Sequence, residues 1–134
     1  MIDNLRSLKI AIIGLGYVGL PLALEFGKKR KVIGFDINKI RISNLKLGLD
    51  KNLEFDSKKI KSSKKLYFTC DSRELRFANC FIITVPTPID VLKKPDLSYL
   101  FMASKLVGKY IKKGNIIIYE STVYPGCVEE ECVP

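Results

Sequence analysis

A run of six residues constrains this chain more than any other: Gly14-Leu15-Gly16-Tyr17-Val18-Gly19, the pattern G-x-G-x-x-G. Alone it is a weak signal, but it stands directly after the apolar run LKIAII (residues 8–13) and opens a segment with helical spacing. A buried strand leading through a glycine turn into a helix is the start of a dinucleotide-binding unit. Gly14 permits the tight turn, Gly16 lets backbone approach a pyrophosphate, and Gly19 lets the helix pack on the strand. The free N–H groups and the positive helix end then hold the phosphates. The competing reading is a plain tight turn with packing glycines.

The remaining chain repeats this alternation. Residues 17–29 place Val18, Leu22 and Phe26 on one side of a helix, with Leu20 and Leu24 close by. Residues 31–35 (KVIGF) read as a second strand and residues 38–47 as a helix, with Ile40, Ile42, Leu45 and Leu47 apolar and Gly48 as its stop. Residues 49–65 are polar and lysine-rich, a loop with room for a short helix. Residues 66–69 (LYFT) form a third strand, and Asp71 or Ser72 caps a short helix through Phe77. Residues 80–85 (CFIITV) form a fourth strand, stopped by Pro86 and Pro88. A helix opens at Asp96 or Ser98 and runs to about Lys112, and residues 115–119 (NIIIY) form a fifth strand. Residues 128–134 read as the start of another helix. Apolar strands alternating with helices predict an α/β fold, a Rossmann-type parallel sheet with helices on both faces. With 134 residues and no visible linker or repeat, one domain over 1–134 is expected.

Asp36 supplies the second element. It ends the second strand, 17 residues past Gly19, close to the roughly 20 expected for the acid that binds the adenosine ribose. Its carboxylate accepts from ribose hydroxyls and repels a 2′-phosphate, so NAD is expected over NADP. Arg41 pulls the other way, because arginine holds phosphate well. A helix cap for Asp36 and a solvated charge for Arg41 are the plainer alternatives. Val85-Pro86-Thr87-Pro88 and Glu120-Ser121-Thr122-Val123-Tyr124-Pro125-Gly126 follow the fourth and fifth strands. Ligands of open α/β sheets bind at the carboxyl ends of strands. Val85, Thr87, Ser121 and Thr122 are therefore candidates for the adenine, the nicotinamide-side ribose or a reactive water. Each one, taken singly, is also an ordinary turn or capping residue.

Composition sets the limits. Hydrophobic residues make up 47 % and charged residues 28 %, enough for a core and a soluble surface. No apolar run approaches the ~20 residues of a membrane span, and the first residues lack the apolar stretch of a signal peptide. A cytoplasmic protein is expected. The net charge of +9 invites a nucleic-acid reading. The lysines are scattered, however, and not interleaved with aromatics, which favours a solvated surface and an anionic small ligand. The four cysteines, Cys70, Cys80, Cys127 and Cys132, include no C-x-x-C pair, and histidine is absent. No metal site is expected, and free thiols fit better.

The segments IAIIGLGYVGLPLALEFG, VIGFDINKIRI, FIITVPTPID, PDLSYL and IIIYESTVYPGCVEEE resemble, in order and spacing, the N-terminal domain of UDP-glucose/GDP-mannose dehydrogenases. The resemblance runs from about Lys9 to Pro134. The nearest branch is that of bacterial UDP-N-acetylhexosamine 6-dehydrogenases of capsule, Vi-type and O-antigen polysaccharide synthesis. It implies an oxidoreductase that takes a UDP-sugar 6-hydroxyl to a carboxylate with two NAD⁺. In that scheme a cysteine thiolate traps the aldehyde, a second hydride transfer gives a thioester, and water hydrolyses it. It further implies that the Tyr17 and Val18 backbone lies at the pyrophosphate, that Asp36 and Arg41 face the adenosine ribose, and that Thr87 lines the cleft. Thr122 would sit near the nicotinamide and the reacting water. The nucleophilic cysteine, a lysine, an asparagine and most of the sugar pocket belong to middle and C-terminal segments outside this chain, through which the family forms homodimers or larger assemblies. Cys127 opens a helix in the family pattern and is expected to be structural. The chain would then be an N-terminal fragment, inactive alone. The alternative is a non-catalytic NAD-sensing Rossmann module.

Overall fold

The computed structural model describes residues 5–134. Its centre is a sheet of five parallel strands: β1 (Ile10–Ile13), β2 (Val32–Phe35), β3 (Leu66–Thr69), β4 (Cys80–Ile83) and β5 (Ile116–Tyr119). Their spatial order is β3-β2-β1-β4-β5. The order reverses at β1, so a crevice opens where the chain leaves β1 on one side and β4 on the other. β1 pairs Ile10 with Val32 and with Cys80, and Ile13 with Phe35 and with Ile83.

Side chains along a strand alternate between faces, so the central strands β2, β1 and β4 each feed two cores. Ile10, Ile12, Val32, Cys80 and Ile82 pack with Leu20, Ala23 and Leu24 of helix α1 (Gly19–Gly27). The same core takes Ile42 and Leu45 of α2 (Lys39–Lys46) and Ile60 of α3 (Ser57–Ser62). On the other face Ala11, Ile13, Phe35, Phe81 and Ile83 pack with Leu100, Ala103 and Val107 of α4 (Ser98–Gly108). Burying one leucine of the Leu20 or Leu100 kind contributes about 2 kcal/mol.

Several expected boundaries move inward. β4 stops at Ile83 rather than at residue 85: Thr84 N makes the last bond to Ile13 O, the neighbouring β1 turns away at Gly14, and the Thr84 hydroxyl pins that turn through Ile13 O and Gly14 O. The buried face of α1 is Leu20, Ala23, Leu24 and Gly27, while Val18 is half exposed and Leu22 and Phe26 flank the core. In α2, Ile42 and Leu45 are buried and Ile40 and Leu47 face outward. Asp71 caps the 3₁₀ turn Ser72–Phe77 by accepting from Arg73 N at 3.0 Å. The last segment winds as a π-type turn, Val128–Cys132, closed by Val133 N donating to Val128 O at 3.0 Å. No helix is long and apolar enough to cross a membrane among the described residues.

Candidate dinucleotide-binding site

A cleft of about 650 Å³ opens at the carboxyl ends of β1, β2 and β4. Gly14, Leu15 and Gly16 form its floor, and Asp36, Ile37, Asn38 and Arg41 one wall. Thr84, Val85 and Pro86 lie across from them, and Tyr99, Met102 and Leu106 of α4 close the far side. The lining is largely apolar, with a few polar groups converging on one end, as cofactor sites are.

The glycine turn is held from every side. Gly14 has φ +98°, a conformation that favours glycine, and its N–H donates to Phe35 O at 2.8 Å. Thr84 Oγ1 donates to Gly14 O at 2.7 Å. Leu15 N donates to Asp36 Oδ2 at 2.9 Å, and the Leu15 side chain is fully buried. Leu15 O accepts from Arg41 Nε at 2.9 Å and Nη2 at 2.8 Å. Arg41 Nη1 pairs with Asp50 Oδ1 at 2.6 Å, and the Asp50 side chain has no exposed surface.

The three glycines have three different surroundings. A Cβ on Gly19 would run into Gly14 O and lie 2.5 Å from Thr84 Oγ1, so only glycine lets α1 start this close to β1. A Cβ on Gly16 would meet nothing within 4 Å. Its absence therefore serves no packing inside the protein and leaves backbone open towards the cleft. Tyr17 and Val18 are both well exposed beside it. Their N–H groups stand at the start of α1, where a helix leaves donors without internal partners and favours anions.

These residues fit NAD. The Gly16 gap and the α1 terminus suit a pyrophosphate. Asp36 uses one acceptor site on Oδ2 for Leu15 N and one on Oδ1 for Asn38 N, at 2.9 Å each. An ionised carboxylate has about four such sites, so two remain for ribose hydroxyls.

The comparisons with known proteins agree. Residues 8–134 match the profile of the UDP-glucose/GDP-mannose dehydrogenase family, NAD binding domain. The chain belongs to this family. It is 58 % identical over 130 residues to the UDP-N-acetyl-D-glucosamine 6-dehydrogenase of Pseudomonas aeruginosa, covering 97 % of this chain and 31 % of that protein. Among solved structures, the UDP-D-ManNAc dehydrogenase of Pyrococcus horikoshii superposes with TM-score 0.85 at 36 % identity, over 91 % of this chain and 30 % of that one. A ternary complex of the Pseudomonas aeruginosa GDP-mannose dehydrogenase superposes with TM-score 0.87 at 26 % identity, over 95 % and 31 %. The chain thus spans about a third of the length of the relatives it matches.

Within this family domain, Gly14, Gly16, Asp36, Arg41 and Val85 line one cleft, with Tyr17 and Val18 exposed next to it and Gly19 packed beneath it. Thr87, Ser121 and Thr122 are not in its lining. They tie the loops after β4 and β5 together: Thr87 Oγ1 donates to Thr122 O at 2.7 Å, and Ser121 Oγ to Val85 O at 2.7 Å. Thr122 contributes its carbonyl to this link, and its side chain is exposed.

Residues that sequence reasoning missed are Thr84, Asp50 and the α4 wall. Thr84 is the one hydroxyl inside the apolar run CFIITV (residues 80–85), a signal that was available. Asp50 pairs with a residue nine positions away across a loop, which no periodicity reveals. Cys127 is fully buried in the core against α4, as a structural residue would be. The cysteines are free thiols. Among the described residues no cluster of His, Cys, Asp or Glu gathers where a metal could be held.

Proposed function

We propose that this chain is the NAD-binding domain of a nucleotide-sugar 6-dehydrogenase acting on a UDP-N-acetylhexosamine for surface polysaccharide synthesis in the cytoplasm. The observation that carries the reading is the pairing of Gly16, open to the cleft, with Asp36, whose carboxylate keeps acceptor sites free beside it. The identity to a UDP-N-acetyl-D-glucosamine 6-dehydrogenase supports the sugar class. Bound NAD⁺ would supply a hydride acceptor. The chain's own part is to seat the pyrophosphate on Gly16, Tyr17 and Val18, orient the ribose through Asp36, and accept the nicotinamide half near Thr87, Ser121 and Thr122. The exposed Thr122 hydroxyl is then available to position a water or the nicotinamide amide.

Further domains of the polypeptide would carry the nucleophilic cysteine, the sugar pocket and the surfaces for dimerisation. The test uses the complete reading frame containing this chain, incubated with NAD⁺ and UDP-N-acetylglucosamine, UDP-N-acetylgalactosamine or UDP-glucose while NADH is followed. Two NADH per UDP-N-acetylhexosamine are expected. Turnover of UDP-glucose alone would correct the sugar, and NADH binding without turnover of any sugar would contradict the enzyme reading.

A further inference from the structure

We propose that Asp50 sets the cofactor preference of this domain by keeping Arg41 on the glycine turn and away from a 2′-phosphate. The proposal rests on the assignment of the cleft to NAD.

An arginine beside the ribose-binding acid ordinarily reads as a phosphate ligand, since its planar fork matches phosphate oxygens. Here the fork is committed. Nε and Nη2 both point at Leu15 O, and Nη1 at Asp50 Oδ1. Three of the five N–H groups of a guanidinium are used in this way.

Asp50 cannot easily release it. Its Oδ1 also accepts from Asn52 N at 3.1 Å, and its Oδ2 from Glu54 N at 3.1 Å and Phe55 N at 3.3 Å. Donors on both oxygens fix the carboxylate plane. Burial raises the Asp50 carboxyl, but the Arg41 bond, the backbone N–H groups and the Arg41 charge outweigh it and leave it below its ordinary value. The group therefore stays ionised at neutral pH.

Charge at the ribose end follows. Asp36 and Asp50 are negative and Arg41 positive, a net charge of about −1, and a phosphate monoester brings about −2 near neutral pH. Lys105 and Lys109 of α4 line the facing wall. They are the same with or without Asp50, so they cancel when two dinucleotides are compared across variants. Asp50 itself lies outside the cleft lining and acts through Arg41, as a positioning residue.

The experiment measures Kd for NADH and NADPH on wild type, Asp50→Asn, Arg41→Met and the double variant. In Asp50→Asn the guanidinium loses its charged partner while Nε and Nη2 stay on Leu15 O, and Nη1 turned to a 2′-phosphate should tighten NADPH by about tenfold, the factor of one charge-assisted hydrogen bond, while NADH weakens. Arg41→Met should weaken both dinucleotides by the same factor, and the double variant should lose the NADPH gain. A purely structural role for Asp50 would weaken both in parallel, and that result would overturn the proposal. If Asp50→Asn shows no cooperative melting transition, Arg41→Met decides: selective loss of NADPH would mean that Arg41 already serves a 2′-phosphate. Binding of neither dinucleotide to wild type would overturn the cleft assignment, and the proposal with it.

Discussion

At the β2 end of the cleft Leu15 is held by its N–H, its carbonyl and its side chain, whereas at the β5 end the loops meet through two hydroxyl-to-carbonyl bonds. The strands differ in the same sense. β1 is buried along its whole length, while Ile116 and Ile118 of β5 remain exposed on one face. At the glycine-turn end Asp36, Arg41, Asp50 and Thr84 are joined to the turn and to one another by hydrogen bonds that the protein itself supplies. Bonds of this kind lower the ordering cost of binding. The β5 end carries exposed polar groups on lightly tied loops, the arrangement expected where other parts of a protein complete a site. The contrast sets the proposed seat of the adenosine diphosphate half, at the glycine turn, apart from the β5 end, where the nicotinamide half is proposed to lie.

The largest effect that would sharpen this contrast comes from two neighbouring glycines. Gly19→Ala forces a Cβ into Gly14 O and Thr84 Oγ1, and overpacking of this kind should lower Tm by about 10 °C and abolish NADH binding with it. Gly16→Ala, with nothing near its Cβ, should leave the melting curve in place while NADH affinity falls about tenfold or more. Equal Tm losses in the two variants would break the distinction between a packing glycine and a binding glycine.

Asp36→Ala comes next. It removes the proposed ribose acceptor and strands the N–H groups of Leu15 and Asn38, so NADH affinity should drop about tenfold to a hundredfold. Unchanged affinity in a titration would place the ribose elsewhere. Thr84→Val keeps the volume but loses the bond to Gly14 O, and chemical denaturation should show a loss of about 1 kcal/mol.

Acid unfolding tests the same end of the cleft. The folded Asp50 carboxyl lies below its ordinary value, so its stabilisation is fully present above an unfolded pKa of about 3.9. It is lost as pH falls through the lower, folded value. Asp50→Asn should therefore flatten the decline in stability below about pH 4, and an unaltered acid limb would contradict the assigned charge state. The smallest effect belongs to the β5 end: Thr87→Val breaks only a loop-to-loop bond and should change stability by less than about 1 kcal/mol.

Strands, helices and the glycine turn were legible because each is a local pattern. Apolar runs of strand length mark β1 to β5, Asp71 is the one of the two expected caps, Asp71 or Ser72, that closes the turn, and Asp36 follows β2 at the required spacing. Boundaries slipped where the chain turned out of the ladder, as it does just past Ile83, where Thr84 N makes the last bond to Ile13 O. The amphipathic reading of α1 was rotated because Leu22 and Phe26 are as apolar as Leu20 and Leu24. Which of them is buried depends on the crossing over β1 and β2, a tertiary property. Arg41 was legible as a residue beside Asp36 in the cleft, but its partner was not. The Arg41–Asp50 pair and the bond from Arg41 to Leu15 O join three segments that meet only after folding.

The most direct test of the cleft assignment is a titration of the ¹⁵N-labelled chain with NADH, followed residue by residue through its backbone amide resonances. Shifts should appear first at Gly16, Tyr17, Val18, Asp36, Ile37 and Asn38, with the lysine-rich pocket around Lys46, Lys61 and Tyr67 unchanged. Shifts confined to that lysine-rich pocket, or no shifts at all, would contradict the assignment.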